Sequence, residues 1–149
     1  MNKILNLGDR QAAIVFFSRL RDSKPQPFDL RITNSHIVEL NRFFKEKVFR
    51  KDALYVGTST LWEITQPIGG SGRHHYHGLA PEDVYEALYG IRNPKEVKMS
   101  YFGRYIIVTL ATFNNRVPLA VIVDPESNLQ NQRATNIIRI VTIYPYNKK

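Results

Sequence analysis

The chain has 149 residues, 43% of them apolar, and carries 21 Lys and Arg against 13 Asp and Glu, a formal charge of +8. That length suits one domain with one continuous core, no apolar run approaches the roughly 18 residues of a membrane span, and Met1-Asn2-Lys3-Ile4-Leu5-Asn6 does not open like a secretory leader. With no cysteine there is no disulfide, thiolate nucleophile or Cys-based zinc site, so the redox compartment is unconstrained and a reducing cytoplasm is the default expectation, while the cationic surplus favours RNA or DNA over a membrane as partner.

Residues 12–20, Ala-Ala-Ile-Val-Phe-Phe-Ser-Arg-Leu, are compatible with a short strand or a buried helical turn, because their periodicity does not decide. Asp22-Ser23-Lys24-Pro25-Gln26-Pro27 reads as a linker, since each proline lacks a donor and biases its neighbour to extended backbone. Asn34 or Ser35 can cap a helix in which Ile37, Leu40, Phe44 and Val48 recur on one face, with Glu39, Arg42, Lys45 and Glu46 mostly elsewhere. Leu54 to Thr65 is rich in aromatic and β-branched residues and reads as a strand or hairpin arm, with Gly57 as a bend. A flexible loop, Pro67-Ile68-Gly69-Gly70-Ser71-Gly72, leads into Arg73-His74-His75-Tyr76-His77, which holds three of the four histidines. Pro81 at a first helical position, with Glu82 and Asp83 at the positive end of the macrodipole, starts a helix through Tyr89 that Gly90 ends.

From Tyr101 the pattern turns to β. Arg104 to Phe113, the turn Asn114-Asn115-Arg116, and Val117 to Val123 form an antiparallel hairpin; Asp124 to Asn136 is a polar loop; and Ile137 to Tyr144 is an interior strand. The expected fold is α+β, with N-terminal helices followed by a twisted antiparallel sheet of about four strands. The chain reads as a single domain with its core in residues 36–149, and residues 1–35 are open between a sheet element and an N-terminal extension.

Imidazole exchanges protons near neutrality, so histidines beside cations point to acid-base work on an anion. His77 leads, because it adjoins the helix, and His75 is second; His74 and His75 otherwise adjust charge or contact the ligand backbone. The bland account is a solvated loop, and a metal site lacks ligands, since the nearby carboxylates are only Glu82 and Asp83 at a helix start. His36 reads as structural. Strict alternation places Ile138, Ile140, Thr142 and Tyr144 on one face of the last strand and Arg139, Val141 and Ile143 on the other. Thr142 and Tyr144 are then neighbouring hydroxyls near a sheet edge, although both are also plain strand formers. Arg104 offers a planar fork for two phosphate oxygens, with Lys98 as a substitute, while its bland account is a solvated strand-end cation. Arg73 and Arg139 add charge, and Tyr76, Tyr101 and Tyr146 stand where a base can stack.

Taken in order, His77, the helix Pro81 to Tyr89, Ile91-Arg92-Asn93-Pro94-Lys95-Glu96-Val97, the hairpin and Ile140-Val141-Thr142-Ile143-Tyr144 resemble the phage- and toxin-associated nuclease domains grouped with barnase, EndoU, colicin E5 and D and RelE. The resemblance covers residues 74–146, and it lies in the order of short motifs. It implies metal-independent, cofactor-free cleavage of tRNA or mRNA, in which the 2′-hydroxyl attacks phosphorus under histidine acid-base catalysis, and it implies an antitoxin or immunity partner. Under it His77, Thr142 and Tyr144 match motif positions, and Arg104 matches more loosely. The first 35 residues and the clustering of three histidines depart from the pattern.

Three other readings compete. A non-catalytic nucleic-acid-binding module needs only the cations and tyrosines. A structural component of a phage or mobile element needs no site at all. Thr58-Ser59-Thr60 looks like the Ser-Thr-Ser element of NAD-dependent ADP-ribosyltransferases, but the late carboxylates, Asp124 and Glu126, stand in a Pro-containing turn instead of that family's strand pair.

Overall fold

The computed structural model describes residues 3–33, 54–68, 76–127 and 137–147. In chain order they form β1 (Lys3–Asn6), α1 (Arg10–Asp22), β2 (Asp29–Thr33), β3 (Leu54–Gly57), α2 (Thr58–Ile64), α3 (Pro81–Gly90), β4 (Glu96–Met99), a 3₁₀ turn (Tyr101–Gly103), β5 (Tyr105–Phe113), β6 (Val117–Ser127) and β7 (Ile137–Pro145). The helix expected over residues 37–48, His36 and the cluster members Arg73, His74 and His75 lie outside the described residues.

The architecture is α+β, built on one seven-stranded mixed sheet of order β1-β2-β3-β7-β6-β5-β4. This corrects the expectation of about four antiparallel strands behind N-terminal helices. The meander β4 to β7 is antiparallel, but the sheet continues past β7 through a parallel partner, β3, and ends in the parallel pair β1 and β2. Helices α2 and α3 fall between strands. The missed strands, β1, β2 and β4, are four or five residues long, too short for alternation to stand out from a loop or a helical turn. Residues 3–33, left open by the sequence, thus enter the sheet as β1 and β2 with α1 packed beside them.

The ambiguous block at residues 12–20 is helical because Ala13, Ile14, Phe17 and Leu20 recur at helical spacing and are all buried. Asp9 caps this helix, its carboxylate accepting from the Ala12 N–H at 3.1 Å. The segment Leu54 to Thr65, expected to be extended, splits: Leu54–Gly57 is strand and Thr58–Ile64 is helix. Thr58 sits at the change, fully buried. Its hydroxyl donates to the Gln26 carbonyl at 2.7 Å and accepts from the Phe28 N–H at 3.1 Å, so it closes the end of the proline linker. Thr58-Ser59-Thr60 therefore opens a helix, not the strand the ADP-ribosyltransferase comparison requires, and Asp124 continues β6.

One core joins Leu5, Ile32, Leu54 and Val56 of the first strands to Ile107, Val121, Val123, Ile138, Ile140 and Ile143, and to Phe17, Leu61, Val84 and Leu88 of the helices. Gly90, inside α3, permits close approach to β5, since a Cβ there would lie 3.1 Å from that of Thr109.

Alternation on β7 is interrupted. Ile122 pairs with Thr142 and Val123 with Ile140, which leaves Val141 as an extra residue in a β-bulge. Ile138, Ile140 and Ile143 face the core, whereas Thr142 and Tyr144 fall on the opposite face, the face of Arg139. The expected grouping of Ile138 and Ile140 with Thr142 and Tyr144 is thereby corrected.

Candidate functional site

His77 stands on a short connection pinned by backbone bonds on its C-terminal side. The Gly78 N–H donates to the Gln66 carbonyl at 2.8 Å and the Leu79 N–H to the Ile64 carbonyl at 3.0 Å, tying this segment to the end of α2. Gly78 has φ +63°, a left-handed conformation that side chains disfavour. Leu79 is buried beneath it. Tyr76, on the other side, packs edge-on against Trp62 with ring centroids 5.7 Å apart.

This tether carries the His77 imidazole to 6.1 Å from the Tyr144 ring, centroid to centroid. Tyr144 lies 6.4 Å from Tyr146. The Tyr146 hydroxyl accepts from the Lys98 ammonium at 2.8 Å, and Lys98 also sits 3.6 Å from the Glu96 carboxylate. A row therefore runs from His77 through Tyr144 and Tyr146 to Lys98. Burial raises the Tyr144 pKa, with the neighbouring Tyr146 adding to the effect, so its hydroxyl remains a donor at neutral pH. The bond to Tyr146, aided by Glu96, raises that of Lys98 and keeps it cationic.

Thr142 is on the same face, in register with Ile106, Ile122 and Lys98 across the sheet. Its hydroxyl oxygen is buried, with no hydrogen-bond partner among the described residues. Arg104 is placed elsewhere. Its guanidinium is 3.8 Å from Asp124, whose register partner is Arg139, whereas Tyr144 pairs with Ala120. Four positions along β6 separate the two rungs, about 13 Å at strand rise. Arg139 itself forms a two-pronged ion pair with Asp29 of β2, Nη2 to Oδ2 at 3.2 Å, and the Asp29 side chain is nearly buried. Tyr101 is 83% exposed in the 3₁₀ turn, beside Phe102 at 91%. Of the residues singled out from sequence, His77, Tyr144, Tyr146 and Lys98 come together, Thr142 adjoins them, and Arg104, Arg139 and Tyr101 do not.

Tyr146 also lines a cleft of about 370 Å³, together with Lys95, Glu96, Val108, Arg116, Val117, Pro118 and Asn147. Sequence reasoning passed over Lys95, Glu96, Arg116 and Asn147, which come from three separate stretches of the chain. Only the register that sets Glu96 against Val108, and Pro118 against Thr112, gathers them. Among the described residues no group of three or more His, Asp or Glu gathers as a metal-ligand set. Compared with protein-family models, with characterised proteins and with solved structures, the chain matches none.

Proposed function

We propose that this chain is a metal-independent endoribonuclease acting on tRNA or mRNA. The observation that carries the reading is the imidazole of His77 held 6.1 Å from Tyr144 in a row that ends on a cationic lysine. Proton carrier, neutral hydroxyl and ammonium are the groups that transesterification of RNA requires. His77 takes the proton of the 2′-hydroxyl as its oxygen bonds to phosphorus. Tyr144 and Lys98 stabilise the charge that develops on the non-bridging oxygens. The bond from phosphorus to the 5′-oxygen breaks, and that oxygen leaves with a proton from a second acid, for which His75 is the candidate in the sequence. The products are a 2′,3′-cyclic phosphate and a 5′-hydroxyl end. Arg104 lies beside Asp124, four β6 positions from the rung of Tyr144, and is assigned no step here. A chain with this activity needs restraint inside a cell, so an antitoxin or immunity protein belongs to the same reading.

Labelled RNA incubated with the protein in EDTA tests it. Cleavage to cyclic phosphate ends is expected, and His77→Ala should reduce it at least about 100-fold, the usual worth of a general acid or base. Binding without cleavage would favour a nucleic-acid-binding module instead. The observation on that side is Tyr101 with Phe102, both displayed to solvent as stacking surfaces.

A further inference from the structure

The cleft that Tyr146 lines has a composition that the reaction above does not use. Neither Lys95 nor Arg116 has an acidic partner among the described residues, although both stand in its wall. Arg104 and Arg139, by contrast, are each paired with an aspartate. Glu96, the carboxylate of the cleft, is already offset by Lys98 at 3.6 Å. The walls are also fixed in advance. The Lys95 N–H donates to the Val108 carbonyl at 2.7 Å, the Arg116 N–H to the Phe113 carbonyl at 3.1 Å, and the Tyr146 N–H to the Pro118 carbonyl at 2.8 Å. Asn114 and Asn115, both left-handed with φ 54° and 57°, lock the turn that presents Arg116. Two cations with no acidic partner among the described residues, an aromatic ring, apolar side chains and a side-chain amide make a site for an anion joined to a flat ring.

We infer that this cleft is a nucleotide subsite, taking one phosphate between Lys95 and Arg116 and the adjoining base against the ring of Tyr146, with Asn147 at the base's polar edge. The inference rests on the ribonuclease reading only for its purpose, which is to hold the RNA strand while the next phosphate along the row meets His77. Its volume of about 370 Å³ lies within the range of small-ligand sites. Tyr146 belongs to both places, lining the cleft and accepting from Lys98 in the row, so a strand seated in one is led into the other.

Binding tests the subsite without any need for cleavage. The isotope-labelled full chain is titrated with each nucleoside 3′-monophosphate, with the four nucleosides and with inorganic phosphate, while the backbone amides are followed by NMR. At least one nucleotide should move the signals of Lys95, Arg116 and Asn147 and bind at least about tenfold more tightly than phosphate or its nucleoside. The Lys95→Gln, Arg116→Gln double variant, shown to be folded by its spectrum, should weaken that binding at least about tenfold. Absence of nucleotide binding, phosphate binding as tightly as the nucleotides, or an affinity indifferent to the double variant would each overturn the subsite. A protein that binds nucleotides here yet cuts no RNA would keep the subsite and overturn the ribonuclease reading; one that cuts RNA but fails the titration would do the reverse.

Discussion

His77 and Tyr144 approach to 6.1 Å across the fold, one from the connection before α3 and the other from the outer part of the last strand. Tyr144→Phe keeps the ring that faces His77 and removes only the hydroxyl. If that hydroxyl steadies charge in the transition state, kcat on RNA should fall about 10- to 100-fold with little change in KM. A loss confined to KM would place Tyr144 in substrate binding alone. Steady-state kinetics on a short oligonucleotide distinguish the two.

The placement of His77 depends on a glycine. Gly78→Ala puts a side chain on a backbone with φ +63°, at a cost of about 1–2 kcal/mol. Its Cβ would also meet the Ile68 side chain at 3.6 Å, an ordinary contact that adds no clash. The melting temperature should drop by a few degrees while RNA cleavage drops by more than the loss of folded protein explains. Thermal denaturation and activity measured on the same preparation check the difference.

Alkaline titration gives a signed expectation. Tyr144 and Tyr85 are both raised above the ordinary tyrosine value, burial being the first cause in each. Their neutral forms are favoured by folding. The stability they contribute is therefore fully present below about pH 10 and is lost as pH rises through the raised values. Phenolate absorbance should show these two ionising after the exposed tyrosines, and Tyr144→Phe should remove one late step. Any alkaline limb of activity below pH 10 then belongs to another group.

Arg139 sorts structure from ligand contact. Removing its partner with Asp29→Ala leaves a half-buried guanidinium facing a lost carboxylate. The cost should be about 3 kcal/mol, at the low end of the range for broken buried pairs because Arg139 keeps some exposure. Arg139→Gln should likewise lower stability in urea but leave the salt dependence of RNA binding unchanged, whereas a phosphate contact would flatten that slope.

What could be read from the sequence followed the length of each pattern. The hairpin of β5 and β6, with Asn114 and Asn115 between them, and α3 behind Pro81 announce themselves through long runs of consistent signal and turn or cap chemistry, although β6 continues to Ser127 past the Val123 end that the sequence suggested. Strands β1, β2 and β4 carry too few residues to do so. The bulge at Val141 has no sequence mark, because Val-Thr-Ile suits a strand on either face; only pairing with Ile122 and Val123 exposes the extra residue. His77 could be singled out because few other side chains do its chemistry. Arg104 stood ahead of Lys98 as the phosphate contact, and Arg139 stood as an added cation, because no local pattern marks the distant aspartates beside them.

The bulged strand is also a seam. β1, β2 and β3 lie to one side of β7 and β6, β5 and β4 to the other, with β3 and β6 meeting only through it. Thr142 and Tyr144 are thus carried by the piece that stitches two half-sheets together, and partly assembled chains lack the surface on which His77 would find its neighbour. If the chain is a ribonuclease, a molecule in which β7 has not docked would lack Tyr144 beside His77, and activity would arrive only with the completed sheet.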